Sequence, residues 1–366
     1  MPVHLGMAAA ARGGIQEYVT PYLPAIDEHE LAEIIRGIQL YQNHPFKVRR
    51  KRKTVVWKGQ GANLCIVQKE KAGATRSDKP PLLLVPSLVN KADIFDLCTS
   101  RSMMNWLSKK GYDVYLLDWG DTSKYENDRD MEGIVLKRLC PAIVYLEGIS
   151  GRPVSVLGYC MGGTVSLAAV SSVQQSVGKL VLMAAPWDFK GRNPVLSERV
   201  RTWAPVVMGM IEQKGCLTAE WTQALFATLD PAGSAKKFSR FARMDQDSAE
   251  AKLFVAVEDW LNDGVDLAGE LAVHCLQQWF AQNAPERGLW ALGEKIIDIT
   301  DIKCPVMIVA STGDRLVPFA AAASVKEKLT RAQTNILQLD CGHISLIAGS
   351  RAIDTVWNPI ADWLAQ

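Results

Sequence analysis

From residue 80 onward, short continuous apolar runs alternate with longer segments whose apolar positions recur every three or four residues. Leu82–Val85 and Val114–Leu117 are short and continuously apolar, which predicts buried strands, and Val154–Leu157, Leu180–Met183, Val306–Val309 and Ile336–Leu339 read as further strands. Between them Ile94–Lys110, Gly133–Ile149, Thr164–Val173, Phe319–Leu329 and Ile353–Leu364 carry helical spacing. Strands alternating with crossover helices predict an α/β chain with a mostly parallel central sheet flanked by helices. Two β-like runs, Thr54–Trp57 and Leu64–Gln68, come earlier. Before them Asp27–Gln42 reads as an amphipathic helix, with Leu31, Ile34, Ile35, Ile38 and Leu40 at helical spacing.

One interval breaks the rhythm. Between Pro186 and Ile302 the pattern offers no parallel strand, only helix-like pieces at Leu196–Ile211, Thr218–Leu229, Ala249–Asn262 and Leu267–Phe280. A structureless loop of that length does not fit a compact domain, so the segment predicts an inserted helical cap. It holds Trp187, Trp203, Trp221, Trp260, Trp279 and Trp290, six of the chain's 11 tryptophans. Most of these read as filling for a small helical core. The resulting division is an N-terminal helical and basic extension over 1–53, a core over 54–186 and 303–366, and a cap over 187–302.

Composition narrows the classes. Of 366 residues, 48% are hydrophobic and 22% charged, and the formal charge of +2 points to neither nucleic acid nor an acidic partner. No apolar run approaches the ~20 residues of a membrane-spanning helix, and no basic segment followed by an apolar stretch marks export. Eight cysteines without a C-x-x-C pair read as reduced thiols in the cytosol, with no metal site. The opening Gly/Ala-rich stretch reads as loose, and the basic run Lys47–Lys53 as a solvated linker rather than a phosphate contact.

Candidate chemistry begins at Gly158-Tyr159-Cys160-Met161-Gly162-Gly163, set between a predicted strand and a predicted helix. A reactive residue flanked by glycines at such a junction is the nucleophile elbow of the α/β-hydrolase fold. Here the reactive residue is cysteine, which favours acyl transfer through a thioester. In this fold the partners follow in the order nucleophile, acid, histidine. Of five histidines, His4, His29 and His44 precede Cys160, and His274 lies in an apolar helical stretch and reads as a packing residue. His343, just past the last predicted strand, is the candidate base.

Asp314, at the end of the preceding strand, is the candidate acid, with Asp340 and Asp301 as alternatives. Cys65, Cys98, Cys140, Cys216, Cys275 and Cys304 read as small buried hydrophobes, and Cys341 adjoins His343 in sequence. The oxyanion donors are expected to be the backbone N–H groups of Met161 and of Val89, with Leu88 as the alternative to Val89.

The ordered motifs resemble those of the polyhydroxyalkanoate synthases, especially the shorter catalytic subunits of the two-component (class III) type. They are Val89-Asn90-Lys91 with Asp96-Leu97, then Asp113 through Gly120 with its Asp-Trp-Gly ending, the cysteine elbow, and Ala185-Pro186-Trp187-Asp188-Phe189. Gly313-Asp314-Arg315-Leu316-Val317-Pro318 and Gly342-His343-Ile344 complete the set. The resemblance runs from about Pro81 to the C-terminus and is poor before Pro80. It implies Cys160, Asp314 and His343 as the triad of an acyltransferase, with Met161 and Val89 as oxyanion donors. A 3-hydroxyacyl-coenzyme A would be the substrate, with no metal or redox cofactor. The implied partners are a polyester chain or granule surface, a second synthase subunit and a second copy in a homodimer, in the cytoplasm. A cysteine hydrolase of the dienelactone kind, a non-polymerising paralogue and a non-catalytic scaffold are the competing readings.

Overall fold

The computed structural model describes residues 27–50, 53–67 and 78–366. The Gly/Ala-rich opening, the Lys51-Arg52 part of the basic run and Gln68 lie outside them. Eight strands form one sheet: β1 Lys53–Gly59, β2 Ala62–Val67, β3 Leu82–Val85, β4 Val114–Asp118, β5 Val154–Tyr159, β6 Val177–Met183, β7 Val306–Ser311 and β8 Thr334–Leu339. Their spatial order is β1-β2-β4-β3-β5-β6-β7-β8. The pairs β1–β2 and β2–β4 are antiparallel, and every other neighbouring pair is parallel. Every residue of β3 and β5 is buried, which is why β3 is wholly apolar and β5 apolar but for Ser155 and Gly158. Their register pairs Val85 with Gly158, so the loop after β3 starts beside the cysteine turn after β5.

The described α-helices of five or more residues are α1 Glu28–Gln42, α2 Met103–Lys109, α3 Cys140–Ser150, α4 Met161–Ser172, α5 Pro194–Lys214, α6 Ala219–Ala227, α7 Pro231–Ala242, α8 Ala249–Asn262, α9 Gly269–His274, α10 Phe319–Ala323 and α11 Asn358–Ala365. Between β6 and β7 the described chain is helical, apart from antiparallel pairs of two-residue strands at Cys216–Leu217 with Leu267–Ala268 and at Ala291–Leu292 with Lys295–Ile296. No described helix is long and apolar enough to cross a membrane.

Three helical expectations need correction. The segment Ile94–Lys110 is not one helix. A 3₁₀ turn, Ala92–Asp96, ends in a Cys98–Arg101 backbone pairing, and α2 starts afresh because the Ser102 side chain caps it by accepting from the Asn105 N–H at 3.1 Å. Phe319–Leu329 is likewise split, α10 giving way to a 3₁₀ turn at Ser324–Glu327.

Helix α7 was not expected at all. Its first turn is Pro-Ala-Gly-Ser and its buried anchors are Phe238, Phe241 and Ala242, too sparse a stripe to register as periodic. It packs on α1, where a side chain at Gly37 would bring a Cβ within 2.6 Å of the Phe238 carbonyl carbon. On α1 itself Ile34 is buried, but Leu31 and Ile35 are each 46% exposed, so only part of the expected apolar face is used.

Candidate active site

Strand β5 runs fully buried to Tyr159, and the chain then reverses at Cys160, whose φ is 54°. A positive φ on a residue with a side chain costs about 1–3 kcal/mol, so its surroundings must impose it. The Cys160 N–H donates to the Met183 carbonyl of β6 at 2.9 Å, and its own carbonyl accepts from Gly163 at 2.9 Å. Glycine is required by close approach. A Cβ on Gly158 would lie 2.5 Å from the Gly163 Cα, and one on Gly162 would lie 2.5 Å from the Pro86 carbonyl oxygen. Thr164 donates its hydroxyl to the Pro186 carbonyl at 2.7 Å, tying α4 to the chain leaving β6. The cysteine ends up 7% exposed at the N-terminus of α4.

The acid and the base come from the two strand ends next along the sheet. Past β7, Asp314 folds back so that Oδ1 accepts from the N–H groups of Leu316 and Val317, both at 2.9 Å. Its Oδ2 is left for Nδ1 of His343, at 2.6 Å. With Nδ1 turned to the carboxylate, the other ring nitrogen is left available to Cys160, which lies close enough to act on the protonation of the imidazole. Burial alone would lower the imidazole pKa. The Asp314 charge, then Cys160, then the hydrogen bond to Asp314 outweigh it and hold His343 up at about 10.

Tyr159 fixes the ring from below, with centroids 5.0 Å apart at 31°, and donates its hydroxyl to the His343 carbonyl at 3.3 Å. Ser311 anchors the histidine loop to β7: its Oγ accepts from the Cys341 N–H at 2.7 Å and donates to the Cys341 carbonyl at 2.6 Å.

The alternatives sit elsewhere. Asp340 is exposed and accepts from the Thr312 hydroxyl, and Asp301 pairs with Arg331 at 2.9 Å on the surface. His274 lies among Trp279 and Trp290 and accepts from the Trp290 indole at 2.9 Å, and burial lowers its pKa to about 4. Burial raises the thiols of Cys65, Cys140, Cys216, Cys275, Cys304 and Cys341.

The loop after β3 is held from two sides. On the core side the Trp119 indole donates to the Pro86 carbonyl at 3.0 Å. On the cap side the Trp260 indole donates to the Lys91 carbonyl at 2.8 Å, Lys91 pairs with Asp263 at 2.6 Å, and Asn90 pairs with Gly264 through the backbone. Val89, Cys160 and Met161 thereby line one apolar pocket of about 120 Å³, roofed by Trp203, Trp221 and Trp279 of the segment between β6 and β7. Leu88 is turned into the core, 1% exposed.

Sequence reasoning passed over Tyr159, Trp260 and Asn193. Tyr159 adjoins the nucleophile, which is a usable signal. Trp260 was grouped with the filling tryptophans, and nothing in the chain marks Asn193. Among the described residues no group of three or more His, Cys, Asp or Glu is arranged to hold a metal ion.

Comparison with known proteins bears on the fold and the family. Residues 80–350 match the family model of the alpha/beta hydrolase fold. The chain is 30% identical over 297 residues to the poly(3-hydroxyalkanoate) polymerase subunit PhaC of Thiocystis violacea, an alignment covering 81% of this chain and 83% of that one. Proteins of the same name from Haloferax mediterranei and Haloarcula marismortui are 28% and 29% identical over 288 residues, each alignment covering 78% of this chain. The chain spans only 58% and 61% of the length of those two relatives.

Proposed function

Because this chain belongs to the poly(3-hydroxyalkanoate) polymerases of the α/β-hydrolase fold, we propose that it is an acyltransferase that builds a polyester from 3-hydroxyacyl-coenzyme A through a thioester on Cys160. The observation that carries this reading is the Asp314–His343 hydrogen bond at 2.6 Å beside Cys160, which itself lines an apolar pocket. His343 takes the thiol proton, and the thiolate attacks the thioester carbonyl. The oxyanion that forms is held by the backbone N–H groups of Met161 and Val89, each donor being worth about 3 kcal/mol in the transition state. The tetrahedral intermediate expels coenzyme A, which leaves with the proton from His343, and the hydroxyacyl group stays on sulfur.

One thioester replaces another, so this step is nearly isoenergetic and keeps the acyl group reactive. The hydroxyl of a second unit or of a chain end then gives its proton to His343 and attacks the acyl carbonyl. An ester forms, and the Cys160 sulfur leaves and recovers the proton. Asp314 orients the imidazole and stabilises its cation throughout. A roof of tryptophans keeps water from competing with the hydroxyl. Both steps are proton transfers coupled to acyl exchange, so the reading assigns no metal or redox cofactor. Action at a polyester granule in the cytoplasm, a homodimer and a second synthase subunit belong to the same proposal.

Incubation with 3-hydroxybutyryl-coenzyme A, following free coenzyme A and insoluble polyester together, tests it. The expected result is release of both, abolished in Cys160→Ala while the fold is retained. Turnover retained by that variant overturns the assignment, and coenzyme A release without polyester reduces it to a single transfer.

A further inference from the structure

The pocket beside Cys160 is almost wholly apolar, and Asn193 is the amide among its lining residues. Asn193, 1% exposed, stands at the start of α5 and lines this pocket. Its Nδ2 donates to the Leu316 carbonyl at 2.9 Å, on the same turn that Asp314 folds by accepting from the Leu316 N–H. That bond also settles the orientation of the amide, since a carbonyl can accept only from the nitrogen end. The other end, Oδ1, is buried and has no hydrogen-bond partner. An amide oxygen stripped of water and left unpaired is costly. The indole N–H of Trp279, which lines the same pocket, is unpaired as well. A hydrocarbon acyl chain would leave the Asn193 oxygen unsatisfied, whereas a hydroxyl on the acyl chain can donate to it.

We propose that Asn193 is the specificity-determining residue for the hydroxyl of the acyl group, accepting its hydrogen bond while Cys160 takes up the acyl carbon. The inference rests on the acyltransferase reading above and adds what the site selects. Asn193 also braces the Asp314 turn through Leu316, so lost activity alone would not separate recognition from bracing. The ratio between a hydroxylated and a plain substrate does. A site that hydrogen-bonds a substrate hydroxyl rejects the analogue lacking it, because its own buried polar group then goes unpaired.

The experiment measures the rate of the first equivalent of coenzyme A released from 3-hydroxybutyryl-coenzyme A and from butyryl-coenzyme A. The wild-type protein is expected to favour the hydroxylated thioester by about 100-fold or more. In Asn193→Leu, which keeps the branching of the side chain without its polar atoms, the ratio is expected to fall by about 10- to 100-fold, mostly through slower reaction of the hydroxylated substrate. Asn193→Ser is read in the same way should the leucine variant not fold. Equal wild-type rates for the two thioesters, or variants that slow both equally, overturn the assignment. A wild-type protein that releases coenzyme A from neither refutes the acyltransferase reading instead.

Discussion

The site is built from two halves that are finished to different degrees. On the core side both Asp314 oxygens are bonded, His343 is held at its ring nitrogen and its carbonyl, and the Cys160 backbone is bonded at N–H and C=O. On the cap side Asn193 Oδ1 and the indole nitrogens of Trp187 and Trp279 are buried without partners. The halves also differ in how they are held. The cysteine turn is clamped by backbone passing backbone, which only glycine permits. The segment between β6 and β7 shares the buried apolar cluster of the sheet, and at its surface it is tied to the core by exposed ion pairs, Arg315 with Asp230, Arg192 with Glu327 and Lys91 with Asp263. Exposed pairs of this kind contribute about 0–1 kcal/mol each. The contrast teaches a division of labour: the reacting groups are arranged before any ligand arrives, while the roof keeps polar valences open for the ligand.

The largest blow to the finished half should come from Asp314→Asn. The Leu316 and Val317 N–H groups can still meet an amide oxygen, but an amide nitrogen would now face Nδ1 of His343. Coenzyme A release is expected to fall about 10³- to 10⁴-fold, the scale seen when a triad loses its carboxylate. Stability should respond in a pH-dependent way. A histidine held up at about 10 contributes stability that is complete below its unfolded value of ~6.5 and is lost as pH rises through ~10. Urea unfolding of wild type and variant should therefore show the widest gap near pH 6 and convergence above pH 10. A gap independent of pH would show that the Asp314 charge does not set the protonation of His343.

A pair of glycine substitutions sharpens the comparison next. Gly162→Ala forces a Cβ to within 2.5 Å of the Pro86 carbonyl oxygen, where only backbone can yield, and overpacking of that sort costs about 1–3 kcal/mol. Gly209, inside α5, has nothing within 4 Å of the site a Cβ would take, so Gly209→Ala should stabilise by about 0.5–1 kcal/mol through helix propensity. Thermal melts should move in opposite directions, and only Gly162→Ala should slow coenzyme A release, because it pushes on the loop that carries Val89. Equal effects from the two would mean that the turn is no more tightly set than a roof helix.

What the chain reveals in advance follows the same line. The inner strands are readable because their buried stretches are almost wholly apolar, whereas the edge strands β1 and β8 are largely exposed and show only as short mixed runs, and the cysteine turn is readable because its glycines answer to local crowding. Asp314 and His343 are readable from strand order alone. Helix α7 is not, since its burial depends on α1 arriving through Gly37 from about two hundred residues away. The division of Ile94–Lys110 turns on one capping serine within an otherwise helical pattern. Asn193 and Trp260 are unreadable for a related reason. An asparagine before a helix looks like any cap, and one tryptophan among six looks like filling, until the fold shows which atoms lack partners and which carbonyl an indole reaches.

Trp260 supplies the gentlest test. Its indole N–H reaches the Lys91 carbonyl at the end of the loop after β3, while its ring is packed away at 6% exposure. Trp260→Phe keeps most of the ring's burial and removes that single bond, a change worth about 1 kcal/mol. If the roof merely covers the site, the loss should appear as lower stability with unchanged catalysis. If the roof also sets the loop that presents Val89, kcat/KM for coenzyme A release should fall about 5-fold while the melting temperature moves by only about 2–4 °C. The second outcome is expected, because the loop has three ties to the cap at Asn90 and Lys91 and the indole bond is the most buried of them. The same variant should leave the preference for a hydroxylated acyl group untouched, since Asn193 is anchored to Leu316 on the Asp314 turn and not to the loop that Trp260 holds.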